Sequence, residues 1–137
     1  MVAVVGPTGT GKSELALRIA TEFRGEIVNC DSLQLYRYFD IGTAKLTVEE
    51  RRGIPHHLLD VIDPDEIFSA GEFARRARGI LRDVAARDAL PVVVGGTGFY
   101  LRALVDGLFE GPERDEVLRE RLIERERRRP GSLYKLL

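Results

Sequence analysis

Gly6-Pro7-Thr8-Gly9-Thr10-Gly11-Lys12-Ser13 stands directly behind the apolar run Val2-Ala3-Val4-Val5, and few folds accommodate that succession. The β-branched run predicts a short buried strand. The glycines allow a tight turn, and Leu15, Ala16, Leu17, Ile19 and Ala20 supply the apolar side of a following helix. Strand, G-x-x-x-x-G-K-[ST] loop and helix together read as a phosphate loop in its structural setting. Main-chain N–H groups of such a loop converge at the helix N-terminus, where the macrodipole favours negative charge, so a diphosphate is the implied ligand. Lys12 is expected against the outer phosphate, and the Ser13 hydroxyl is expected to ligate Mg2+.

The chain has 137 residues, enough for one domain with a substantial core. With 44% hydrophobic and 31% charged residues it reads as globular, and its longest apolar runs are far too short to span a bilayer. A secretory signal is not expected, because Gly6-Pro7-Thr8-Gly9 interrupts what would be its apolar region. The expectation is a cytoplasmic protein without membrane association, and a monomer. The lone Cys30 cannot form an intrachain disulfide and reads as a small buried hydrophobe. A net charge of −1 lends no general support to nucleic-acid binding, so any RNA surface has to be a local basic patch.

Helix one is expected over Ser13–Phe23, a second strand over Glu26–Cys30 ending at Asp31, and a third over Pro91–Val94 running into Gly95-Gly96-Thr97-Gly98. Asp40 to Pro55 reads as a loop with a short exposed helix, suited to a lid. Ser69 and Glu72 form a capping box opening a helix that stops near Asp88. A short helix carries Tyr100, Leu101, Leu104 and Val105; Gly107 to Pro112 is a linker; Glu113 to Arg129 is a charged helix with Val117, Leu118, Leu122 and Ile123 as its apolar side. Alternating strands and helices predict an α/β, doubly wound parallel sheet flanked by helices, of the P-loop NTPase type. Residues 1–112 are expected to form the P-loop core and 113–137 the charged helix.

Ligands in such sheets lie beyond the carboxyl ends of the strands, so the phosphate loop, Asp31 and the Gly-Gly-Thr turn should meet at one crevice. Asp31 admits two roles: a carboxylate organising Mg2+, or a general base within reach of a nucleophile beside the loop. Asp31-Ser32-Leu33-Gln34-Leu35-Tyr36-Arg37 sets polar groups and an aromatic ring beside the acid, equipment for gripping a planar polar substrate. The third strand ends without a carboxylate, unlike the metal-organising strand of many hydrolases and kinases. Its glycines would let a substrate approach the backbone, and Thr97 offers a hydroxyl to a leaving group or a base.

Gly6 to Ser13, Asp31-Ser32-Leu33-Gln34-Leu35-Tyr36, Asp40-Ile41-Gly42-Thr43-Ala44-Lys45, Gly53-Ile54-Pro55-His56-His57-Leu58 and Gly95-Gly96-Thr97-Gly98-Phe99-Tyr100-Leu101 together resemble the tRNA dimethylallyltransferase family. The resemblance implies transfer of a dimethylallyl group from dimethylallyl diphosphate to N6 of an adenine beside the anticodon of tRNA. It implies Asp31 as general base and Thr97 as a hydrogen-bonding group near the reacting atoms. By the same likeness Asp31, Ser32, Leu33 and Gln34 contact the tRNA anticodon stem-loop, with Arg119 as a further RNA contact. The target adenine would be flipped out of its stack to reach the crevice. His56 and His57 are read as capping or packing residues and given no chemistry.

Family members run to about twice this length, with a helical segment that embraces the anticodon stem. Residues 113–137 read as a passage toward it, so the chain is expected to be a fragment that binds diphosphate but transfers the prenyl group poorly. Gly9-Thr10-Gly11-Lys12-Ser13 also departs from the Ala-Ser-Gly-Lys-Thr spelling common in bacterial members. Three rivals remain: an adenylate isopentenyltransferase acting on free nucleotide, a small-molecule P-loop kinase, and a non-catalytic RNA-binding remnant.

Overall fold

A computed structural model describes residues 1–108 and 115–136. Four parallel strands, β1 (Val2–Val5), β2 (Gly25–Asn29), β3 (His56–His57) and β4 (Leu90–Gly95), form one sheet in the order β1-β4-β2-β3. The helices are α1 (Lys12–Glu22), α2 (Ala70–Ala86), α3 (Gly98–Val105) and α4 (Glu116–Arg128), followed by a 3-10 turn at Tyr134–Leu136. Strand β4 lies between β1 and β2, in register Val2 to Val92 and Ile27 to Val92, so the three carboxyl ends named from the sequence are neighbours.

Side chains alternate across the sheet, which gives each face its own core. Val4, Ile27, Val92 and Val94 face α1 and pack on Ala16, Leu17 and Ala20. Val28, Cys30 and Val93 face the other way, toward Phe73, Ala74 and Ala77 of α2 and Tyr100, Ala103 and Leu104 of α3. Phe73 stacks on Tyr100 with ring centroids 4.5 Å apart, and its complete burial contributes about 2–3 kcal/mol. Arg78 of α2 donates to the carbonyls of Ala103 and Leu104 at 2.9 Å, satisfying carbonyls that the C-terminal end of α3 leaves without a partner in the helix.

Several expectations are revised. Strand β3 was not foreseen, since two residues carry no periodic signal; its partner β2 and the Glu26–His57 contact of 2.6 Å create it. The 40–55 loop holds turns instead of a helix: Thr47 and Glu50 cap one another through Glu50 Oε2 and Thr47 Oγ1, but the turn goes no further than Arg52 and Gly53, both at positive φ. Ser69 caps α2 by accepting from Glu72 N at 3.1 Å, while the Glu72 carboxylate pairs with Arg75 and Arg76. Helix α4 begins at Glu116, capped by Asp115, and buries none of its residues; Val117, Leu118 and Ile123 of its apolar side are exposed. Most of the expected linker, the 112/113 boundary and Glu113 lie outside the described residues.

Candidate active site

Gly9 and Gly11 both take positive φ, 83° and 79°, which turns the phosphate loop back onto α1 without the strain an L side chain would carry. Gly11 is the N-cap and supplies no side-chain cap, so the first turn of α1 is open to an anion. Thr10 Oγ1 donates to the Pro7 carbonyl at 2.9 Å and Lys12 Nζ donates to the same oxygen. That contact parks the lysine over the loop mouth.

Across the sheet ends, Asp31 is half-buried and braced twice. Its Oδ1 accepts from Leu33 N at 3.0 Å, and its main-chain N–H donates to Asn29 Oδ1 at 3.1 Å. Asn29, buried at 3% exposure, donates both amide hydrogens, to Asp31 O and to Leu58 O. Thr97 accepts from Ser32 N at 3.0 Å and donates to Ser32 Oγ at 3.3 Å. Its hydroxyl therefore holds the Asp31–Ser32 segment in place beside the cleft.

Gly95 lines the cleft and also has a structural use. A Cβ there would stand 2.2 Å from the Cys30 carbonyl carbon and oxygen, so the glycine lets β4 and β2 close at their carboxyl ends. Gly96 allows a similar, looser approach to Gly6 O at 3.3 Å. Cys30, buried beneath this junction, has its thiol pushed up to about 12, chiefly by burial and further by the Asp31 charge. It is inert packing.

Lys12, Ser13, Asp31 and Gln34 line one cleft of about 640 Å³, and residues of the 43–52 segment roof it. The roof is tied down at three points. Gln34 Nε2 donates to Thr43 O at 2.9 Å. Lys45, its side chain only 3% exposed, binds Asp60 Oδ1 at 2.7 Å, Asp40 Oδ1 at 2.9 Å and Tyr36 O at 2.9 Å. Burial pulls the lysine's pKa down, but the Asp60 and Asp40 bonds outweigh it and leave it raised. Arg52 reaches Glu14 of α1 at 2.8 Å, and this bond, with Arg18 second, holds the exposed Glu14 carboxyl below the usual range.

The structure thus brings together Gly9, Gly11, Lys12, Ser13, Asp31 and Gln34, with Ser32 beside them. Thr97 acts one layer behind, Leu33 is exposed next to the site, and Arg119 lies on exposed α4 outside the cleft wall. Sequence reading missed Asn29, Lys45 and the Arg52–Glu14 latch; an Asn inside an apolar strand and a Lys two residues past Thr43 were the available signals. Ser13 and Asp31 are hard oxygen donors on one cleft, which suits Mg2+, and no group of three or more His, Cys, Asp or Glu poised for a metal occurs among the described residues. A cation here would complete its shell with ligand oxygens.

The model of the IPP transferase family matches residues 34–137. A tRNA dimethylallyltransferase of Solibacter usitatus is 69% identical over 137 residues, covering 100% of this chain and 45% of that protein; one of Koribacter versatilis is 59% identical, with the same coverage. Among solved structures, the tRNA isopentenylpyrophosphate transferase of Bacillus halodurans superposes with a TM-score of 0.78 at 42% identity, covering 94% of this chain and 43% of its own. A eukaryotic dimethylallyltransferase acting on tRNA also gives 0.78, at 34% identity over 84% of this chain and 30% of its own. The chain therefore spans less than half the length of the relatives it matches. No helix among the described residues is long and apolar enough to cross a membrane.

Proposed function

Because the chain belongs to the IPP transferase family, we propose that it is the donor-binding part of a tRNA dimethylallyltransferase, taking dimethylallyl diphosphate in the phosphate loop and an anticodon-loop adenine at Asp31. The supporting observation is that the phosphate loop and Asp31 line the same roofed cleft of about 640 Å³. The allylic C–O bond breaks as the N6–C bond forms. Negative charge then develops on the departing diphosphate, where loop amides and Lys12 are placed to meet it once Lys12 leaves the Pro7 carbonyl. Mg2+ held through Ser13 would add further charge neutralisation.

Adenine N6 is a weak nucleophile because its lone pair is delocalised into the ring, so removal of its proton is the step that needs help. Asp31 Oδ1 is occupied by Leu33 N, which leaves Oδ2 to accept that proton. Thr97 and Asn29 keep the carboxylate aimed. Ser32, Leu33 and Gln34 are proposed to contact the flipped base and its neighbours, and Arg119 to meet the RNA backbone from α4. A cytoplasmic monomer is part of the same reading.

The test is Asp31→Asn, in a protein of the relatives' full length, assayed with dimethylallyl diphosphate and an anticodon stem-loop. Transfer should fall by about 10²–10⁴-fold with donor affinity retained. Unchanged turnover would remove Asp31 from the chemistry, and transfer to free AMP instead of RNA would move the enzyme to the adenylate type.

A further inference from the structure

His56 opens β3 with one ring nitrogen spent and the other unspent. Nδ1 bonds the Ile54 carbonyl at 2.7 Å, so Nδ1 carries the hydrogen and Nε2 is a bare acceptor. That Nε2 is buried and has no partner. Burial also lowers the ring's pKa, against the raising effect of the Ile54 bond, with the Arg51 and His57 charges adding to the lowering. A buried acceptor left unpaired costs about 1–3 kcal/mol, so its surroundings need a donor.

The surroundings are a narrow, part-open space directly behind the cleft, with about 30 Å³ of room for the centre of a water molecule, lined by His56, Ser13, Asn29 and Gln34 together with apolar Ala16, Ile27 and Leu46. That is room enough to seat a water molecule. The polar wall supplies matching groups. Asn29 has both amide hydrogens committed and Gln34 has one committed to Thr43 O, so Asn29 offers only its oxygen here, while Gln34 offers its oxygen and one N–H. Ser13 brings the hydroxyl.

We propose that this space is a built site for a single water molecule, and that His56 is a positioning residue for Ser13 through it. The water donates one hydrogen to His56 Nε2 and one to the Gln34 or Asn29 carboxamide oxygen, and accepts the Ser13 hydroxyl hydrogen. Three bonds is the usual number for a buried water. A serine that ligates a cation through its oxygen has to send its hydrogen elsewhere, and the chain Ser13–water–His56–Ile54 carbonyl gives that hydrogen one destination. The lone pairs of Ser13 are thereby turned toward the cleft. This part rests on the reading of Ser13 as an Mg2+ ligand given above.

The test uses this chain and inorganic pyrophosphate. A crystal structure at about 1.5 Å should show one water within hydrogen-bond distance of His56 Nε2, and nitrogen NMR should show the Nδ1–H tautomer. Pyrophosphate affinity is then titrated with and without Mg2+. His56→Leu should cut the Mg2+-dependent gain about tenfold while leaving Mg2+-free affinity unchanged, and His56→Asn, which keeps an acceptor, should restore most of it. An empty or side-chain-filled space, an Nε2–H tautomer, or an undiminished Mg2+ gain in His56→Leu would overturn the proposal. So would equal losses with and without Mg2+. If the unsubstituted chain shows no Mg2+ gain at all, the metal role of Ser13 fails and the positioning claim falls with it, whereas the water site is still judged by the density. Should His56→Leu not fold, His56→Asn, the tautomer and the density decide.

Discussion

Replacing Gly95 by alanine tests whether the junction of β4 and β2 sets the position of Asp31. The added Cβ would lie 2.2 Å from both the carbon and the oxygen of the Cys30 carbonyl and 2.8 Å from Asp31 N, whereas ordinary van der Waals contact begins at 3.4 Å. The shortfall, 3.4 − 2.2 = 1.2 Å, is against backbone on a central strand pair, so no side chain can swing aside. Relief requires the strand ends to part by about that amount, which strains the Cys30 N to Val94 O bond of 2.7 Å and the Thr97 N to Cys30 O bond of 3.2 Å beside it. Overpacking of this kind costs about 3 kcal/mol, the upper part of the usual range, or roughly a hundredfold in the folding equilibrium. Gly96→Ala, with its Cβ 3.3 Å from Gly6 O, should cost under about 1 kcal/mol. Urea unfolding followed by circular dichroism would compare the two, with Tm expected to drop by roughly 10 °C for Gly95→Ala. If Gly95→Ala unfolds with the midpoint of the unsubstituted chain, the close strand junction is wrong.

Further outcomes follow from the same geometry. Lys45→Met should destabilise the chain by roughly 2 kcal/mol, less than a fully buried pair because Asp40 and Asp60 remain partly exposed, and should raise proteolysis between residues 40 and 53; an unchanged cleavage rate would show that the lysine does not anchor the roof. The Cys30 thiol, pushed up to about 12, should resist iodoacetamide at pH 8 in the folded chain and react on unfolding, so rapid labelling of the native state would contradict its burial. Arg87, with His57 helping and burial opposing, lowers the Glu26 carboxyl, so its stabilisation is present above the unfolded carboxylate range near pH 4 and is lost as pH falls through the folded value. Glu26→Gln should flatten that part of an acid-unfolding profile, and an identical profile would refute the assignment.

What the order of residues determined by itself is local: a β-branched run, then glycines with Lys12 and Ser13, commits the chain to strand, anion loop and helix through nearest-neighbour sterics and backbone hydrogen bonding. The alternation of Ile27 with Val28 and of Val92 with Val93 likewise announces strands covered on both faces, and the main helices begin within a few residues of their expected starts. Only the tertiary structure decided the rest. Strand β3 exists because β2 offers it an edge, Gly95 is a glycine because a carbonyl from sixty-five residues earlier occupies the space of its side chain, and Thr97 turns to Ser32 because that segment lies beside it. Lys45 and His56 take their roles from Asp60 and from the wall behind Ser13, partners set by packing at distances that no period in the sequence encodes. Contacts between remote segments depend on how the sheet closes, and that closure is a property of the whole core.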